Sequence, residues 1–435
     1  MREMGVDVIG SFGRARAMWV AGLVGTALLF CAPLAQAEDD APARTRKNRE
    51  EILYEARVVP SEGTIHMTID LSQVPGLFEW FRFRIDPDRH TAFSGDGVVT
   101  EVDGAVEWIP PADGGRLNYT FKIDHLRDSR TYDARGARTW AIFRGDDLVP
   151  PARSRFVDGT RTRARIQFLM PETWKVASPH PLVRGNAYRI EGGERAFTRP
   201  TGWFALGDLG VIREEVGPTK VSIAGPVRHG LHRMDILAML RLTLPELNRM
   251  RGTPLERLLV VGAGDPMWRG GLSGPGSIYI HSERPLITAD ATSPLLHELV
   301  HTSMSAQADD ESDWIIEGMA EFFSMELLRR IGAVSAERSE RALDEIRNAK
   351  GRKKGEGHGG RTSTQQGLLF MVELDREIRE RSGNQASLDD VFGALALSSV
   401  PVNFAVLEAA VASSTGLDPA TVMPATPKLE RAKTN

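Results

Sequence analysis

Two histidines four residues apart, with a glutamate after the first, stand in His297-Glu298-Leu299-Val300-His301. On a helix, residues four apart share a face. Both imidazoles can then reach one metal ion through their ring nitrogens while Glu298 projects beside it. Zinc in a hydrolytic site takes three protein ligands and keeps a fourth position for water. A third ligand is available downstream, in Trp314-Ile-Ile-Glu317-Gly-Met-Ala-Glu321. Glu317 is the expected ligand. Glu321, one turn later, can accept a hydrogen bond from the far nitrogen of His297 or His301 and fix its tautomer. The chemistry of such a set is hydrolysis at a single zinc ion. The ion lowers the pKa of its water towards about 7 and polarises a carbonyl, and Glu298 takes the water's proton and hands it to the leaving amine. Two neutral histidines and one ionised carboxylate leave the site with a net positive charge, which suits an oxyanion.

These residues need helices to hold them. Ser293-Pro294 supplies an N-cap and a first-turn proline ahead of the histidines, and Leu295, Leu296, Leu299 and Val300 give that helix an apolar face. The pattern predicts helices over 294–305, 314–331, 337–348 and 364–381, with a terminal group from Leu388 to Ala412. Upstream lie a helix from Met234 to Met250 and strands at Val221–Ile223, Leu258–Val261 and Ser277–His281. From Tyr54 to about Val211 the pattern is instead that of short strands between Gly, Pro and Asp clusters, such as Thr64–Ile69, Trp80–Ile85, Leu117–Ile123 and Arg163–Leu169. The expected architecture is α+β. A β-sandwich over 52–216 precedes a mainly helical catalytic domain over 217–423, with a frayed tail at 424–435. Trp80, Phe81 and Phe83 are expected in the sandwich core rather than in a ligand groove.

His-Glu-x-x-His followed by Trp-x-x-Glu-Gly-x-Ala-Glu resembles the gluzincin metallopeptidases, and most closely their glycyl aminopeptidase-like branch. The similarity continues from Gly367 into Leu374–Gly383 and Ser387–Val391. The resemblance implies a β-rich N-terminal domain joined to a thermolysin-like catalytic domain, and a peptide or protein substrate. Two positions depart from the family pattern. Ser273 and Gly274, within Gly270-Gly271-Leu272-Ser273-Gly274, stand where that branch carries a glutamate and a histidine that recognise a free amino terminus. Thr364 stands where the family has an oxyanion-steadying tyrosine. Other residues that can supply such a donor or a substrate contact are His358 and Arg361, in the Gly-rich basic segment Lys350–Arg361, and Tyr279 and His281, which alternation places on one face of their strand. Aminopeptidase and endopeptidase action both remain open at this stage. So does a second reading, a catalytically slow or inactive gluzincin-fold binding protein.

The remaining sequence bounds where this chemistry works. The chain has 435 residues, 41% of them apolar, and a formal net charge of −4. That excludes an intrinsically disordered chain and argues against a dedicated nucleic-acid binder. Residues 1–37 read as a secretory signal, with Arg14 and Arg16 ahead of an apolar run from Ala17 to Phe30 and a small-residue Ala35-Gln36-Ala37 site. The run is shorter than the roughly 20 residues a spanning helix needs, and no later segment is long enough, so no membrane span is expected in the mature chain. Residues 38–51 form a charged leader. Cleavage after Ala37 removes Cys31, the one cysteine, which leaves neither disulfides nor thiolate ligands. The expected location is periplasmic or extracellular.

Overall fold

The computed structural model describes residues 51–190, 196–304, 308, 311–348 and 363–427. The expected signal segment, all but the last residue of the leader, most of the expected tail and the Lys350–Arg361 segment lie outside them. Among the described residues the chain is mixed α+β. Strands fill the N-terminal part, and helices dominate after Pro294.

The first strands form a seven-stranded sheet in which Glu51–Val59 pairs in parallel with Arg163–Leu169 and antiparallel with Thr64–Asp70. Ile52, Tyr54, Ala56 and Val58 alternate inward, as a sheet with one buried face requires. A four-stranded sheet and a five-stranded sheet complete this region, so the strands pack in three sheets rather than two. Phe81 and Phe83 are buried and stacked at 5.5 Å, with Trp108 at 5.6 Å from Phe81. They belong to the core, while Trp80 is half-buried.

A further five-stranded sheet carries the functional region. Its order is Leu209–Val216, Thr219–Pro226, Arg257–Val261, Ser277–Ile280 and Gly271–Gly274, which leaves Gly271–Gly274 on an edge. The first two strands are an antiparallel hairpin. The expected boundary at residues 216 and 217 therefore falls inside one sheet. Gly217, at φ +57°, is the hairpin turn and not a domain break, and the change of sheet comes earlier, after Trp203–Gly207. Both faces of the sheet are covered. Leu258, Val260, Ile278 and Ile280 join the helical core, while Leu259, Val261 and Tyr279 pack with Trp140, Ile142 and Trp203 from the N-terminal strands. Burial on both sides explains why Leu258–Val261 reads as an unbroken apolar run.

The histidines lie on the helix Pro294–Ser303. Ser293 caps it by accepting from the Leu296 N–H at 3.3 Å, with Pro294 in the first turn. Glu317 and Glu321 lie on Asp313–Arg330, and Thr364 on Ser363–Arg381. The last two helices touch through glycine. A methyl on Gly318 would stand 2.4 Å from the Gly367 carbonyl carbon, and one on Gly367 would stand 2.2 Å from the Trp314 carbonyl oxygen. In an exposed helix, Gly→Ala stabilises by about 1 kcal/mol. Here the backbones must part, and overpacking of this kind costs about 1–3 kcal/mol. We therefore expect Gly318→Ala to lower the free energy of unfolding in urea. A variant as stable as the parent, or more so, would show that the two helices do not depend on this contact.

Candidate metal centre

Two of these helices, Pro294–Ser303 and Asp313–Arg330, bring His297, His301 and Glu317 to one point. His297 Nε2 and His301 Nε2 are 3.0 Å apart. Glu317 Oε2 is 3.5 Å from the first and Oε1 is 3.3 Å from the second. Tetrahedral coordination with bonds near 2.0–2.2 Å sets ligand atoms about 3.3–3.6 Å apart. The separations in the protein are close to that size, with each carboxylate oxygen facing a different histidine. Among the described residues, these three are the group able to hold a metal ion.

The donor chemistry agrees with the spacing. His297 Nδ1 lies 2.9 Å from Glu321 Oε2, so the neutral ring carries its proton there and turns the Nε2 lone pair inward. Two ring nitrogens and a carboxylate converging on one spot form an acceptor-rich pocket that a cation satisfies. Thr364 Oγ1 donates to Glu317 Oε2 at 3.2 Å. Its hydroxyl thus faces the third candidate ligand. Glu298 extends from the same helix towards the edge strand. A methyl on Gly271 would meet its Cγ at 2.7 Å, and Ser273 on the same strand lowers the pKa of its carboxyl.

Each carboxylate has a different environment. Burial raises the Glu298 pKa above the ordinary carboxylate range, although His297, His301 and Ser273 moderate the rise. Burial acts on Glu317 in the same sense, but hydrogen bonds from the two histidines outweigh it and hold Glu317 far below that range. For His297, burial opposes the charged form, yet Glu317 and Glu321 overcome it and push the pKa up to about 10 in the metal-free protein.

The other candidate residues lie elsewhere in the fold. Tyr279 is wholly buried between the sheets. It packs on Trp203 at 5.3 Å and donates its hydroxyl to the Trp268 carbonyl at 2.9 Å. His281 is 1% exposed; its Nδ1 accepts the Glu283 N–H at 3.2 Å and its Nε2 lies 3.4 Å from Asp265. Both side chains are buried, Tyr279 between the sheets and His281 just past the end of its strand. His358 and Arg361 lie outside the described residues. The close approach of Gly271 to Glu298 and the bond from Thr364 to Glu317 are not evident from the sequence pattern. The adjacent glycines 270 and 271, and the glycine one residue after Glu317, were the available signals of close approach.

A folded-state pKa raised above the usual 6.5 means that the charged His297 stabilises the metal-free protein below that pH. This contribution disappears as pH rises through about 10. Zinc and the proton compete for the same nitrogen. At pH 7, zinc uptake by the metal-free protein should therefore release about one proton, and apparent affinity should rise about tenfold per pH unit. Calorimetry in two buffers of different ionisation enthalpy reads the proton directly. Heats that do not depend on the buffer would mean that His297 is already neutral.

No known sequence family matches the chain, and no curated protein matches it in sequence. Solved structures do match. An aminopeptidase N family protein from Idiomarina loihiensis superposes with a TM-score of 0.66 at 14% identity, covering 85% of this chain and 74% of its own. An M1 zinc metallopeptidase from Deinococcus radiodurans gives 0.53 at 15% identity, covering 89% and 96%, and a point mutant of it gives 0.53 at 14%, covering 87% and 95%. The chain has the fold of the M1 zinc metallopeptidases.

Proposed function

We propose that the protein is a zinc-dependent peptidase, with His297, His301 and Glu317 as the ligands of one ion and Glu298 as the catalytic base. The observation that carries this reading is the convergence of two ring nitrogens and the Glu317 carboxylate at separations of 3.0–3.5 Å, with Glu298 on the same helix as the histidines. Zinc held there would supply an acidified water and a Lewis acid for a scissile carbonyl.

The chain's own residues do the rest. Glu298, made more basic by burial, takes a proton from the attacking water and returns it to the leaving nitrogen. Gly271 leaves room for that side chain. Glu321 holds His297 in the tautomer that turns Nε2 inward. The edge strand Gly271–Gly274 offers unpaired N–H and C=O groups to an extended chain, which favours a peptide substrate. Residues 1–37 support action outside the cytoplasm, and no helix among the described residues is long and apolar enough to cross a membrane.

One observation favours the second reading, a slow or inactive binding protein. Thr364 and Tyr279, two of the hydroxyls considered for an oxyanion, both donate to the protein itself. Loss of one such donor lowers rates about 10²–10³-fold. The two readings separate on a mixed peptide pool analysed by mass spectrometry, with Glu298→Gln and Glu317→Ala as controls. The peptidase reading expects cleavage by the parent protein and a fall of more than about 10²-fold in Glu298→Gln with zinc retained. Glu317→Ala should lose the metal. Stepwise loss of N-terminal residues would identify an aminopeptidase, and internal cuts an endopeptidase. Cleavage indifferent to Glu298, or none at all, moves the binding-protein reading to the front.

A further inference from the structure

We propose that Thr364 is a positioning residue for the third metal ligand. Its hydroxyl clamps Glu317 so that the carboxylate binds the ion through one oxygen. This rests on the zinc-site reading above and goes beyond it. Thr364 Oγ1 donates to Glu317 Oε2 at 3.2 Å, across two different helices. That meeting is built into the packing. Glu317 precedes Gly318 by one residue, Thr364 precedes Gly367 by three, and the two glycines are in backbone contact.

The chemical consequence follows from where the proton points. An oxygen that accepts a hydroxyl proton has less electron density to give to a cation. Both oxygens face the histidines, Oε2 to His297 at 3.5 Å and Oε1 to His301 at 3.3 Å, but the hydroxyl falls on Oε2 alone, which makes Oε1 the stronger donor. Single-oxygen binding keeps the protein ligands at three and leaves a place for water, whereas binding through both oxygens would fill that place. The hydroxyl is then committed to Glu317 and is not available to a substrate carbonyl.

The test uses the full chain with Thr364→Val, which keeps the shape and removes the hydroxyl, and Thr364→Ser, which keeps the hydroxyl. Thr364→Ala replaces the valine variant if that fails to fold. Zinc affinity is read by competition with a chelating dye, and coordination by the visible absorption of the cobalt-substituted protein. We expect Thr364→Val to bind zinc about 10-fold or more weakly, the usual effect of losing a partner behind a ligand, and Thr364→Ser to stay within about threefold of the parent. The cobalt band should weaken in the valine variant, as coordination number rises, and persist in the serine variant. Parent-like affinity and spectrum in Thr364→Val would overturn the proposal while leaving the zinc site intact. So would a serine variant as impaired as the valine one. A parent protein that binds no zinc would overturn both readings.

Discussion

The site depends on a contact that contains no functional atom, the meeting of two helix backbones at Gly318 and Gly367. Helix axes ordinarily stay about 8–10 Å apart because side chains separate them. Glycine at both positions removes that spacer. Neighbours on the two helices are then drawn together, and the neighbours here are Glu317 and Thr364. Without the close approach, a threonine is too short to reach a glutamate on another helix. The apolar residues around the contact, Trp314, Ile315, Met319, Leu368 and Met371, are buried and hold the crossing in place. Polar geometry at the centre is thus set by van der Waals packing beneath it.

The opposite wall is held from the N-terminal strands. Trp203 donates its indole N–H to the Leu272 carbonyl at 3.1 Å, and its backbone N–H to Ser277 Oγ at 2.8 Å. Leu272 and Ser277 belong to the two strands of the hairpin that carries Gly271 and Ser273 to Glu298. Edge strands are the least constrained part of a sheet, so a buried tryptophan bonded to this one limits its movement where precision matters most. The N-terminal sheets are in this sense a structural part of the site. They fix the strand against which the catalytic base rests.

Much of this was legible in the sequence because it is local. The histidine pair, its Ser-Pro start and the Glu317–Glu321 turn are helical periodicities, and Pro294–Ser303 and Asp313–Arg330 follow them within two residues. The strands Thr64–Asp70 and Arg163–Leu169 announced themselves by alternation. Three features were not legible, each for a physical reason. Gly271–Gly274 has too little side chain to show strand propensity, so only the resemblance marked it as a strand. Gly217 looked like a boundary because a hairpin turn and a linker use the same residue types. What surrounds Tyr279 and His281 was not legible, because alternation predicts a shared face but not what covers it. Here Trp203 covers that side of Tyr279.

The three glutamates show how one residue type is divided among roles by surroundings alone. Glu321 meets the outer nitrogen of His297. Glu317 meets the inner nitrogens of both histidines and is held ionised by them. Glu298, one residue from a histidine in sequence, lies against Gly271 of the edge strand, and burial lifts its proton affinity. Groups whose environments drive their pKa values apart are the ones that can divide ligand and base duties at one pH. Exchanging the partners would exchange the roles. A Glu298 hydrogen-bonded to both histidines would be too weak a base, and a Glu317 without them would be too readily protonated to hold a metal. The division of labour therefore resides in which backbone faces each carboxyl, and those backbones are placed by glycines at 271, 318 and 367.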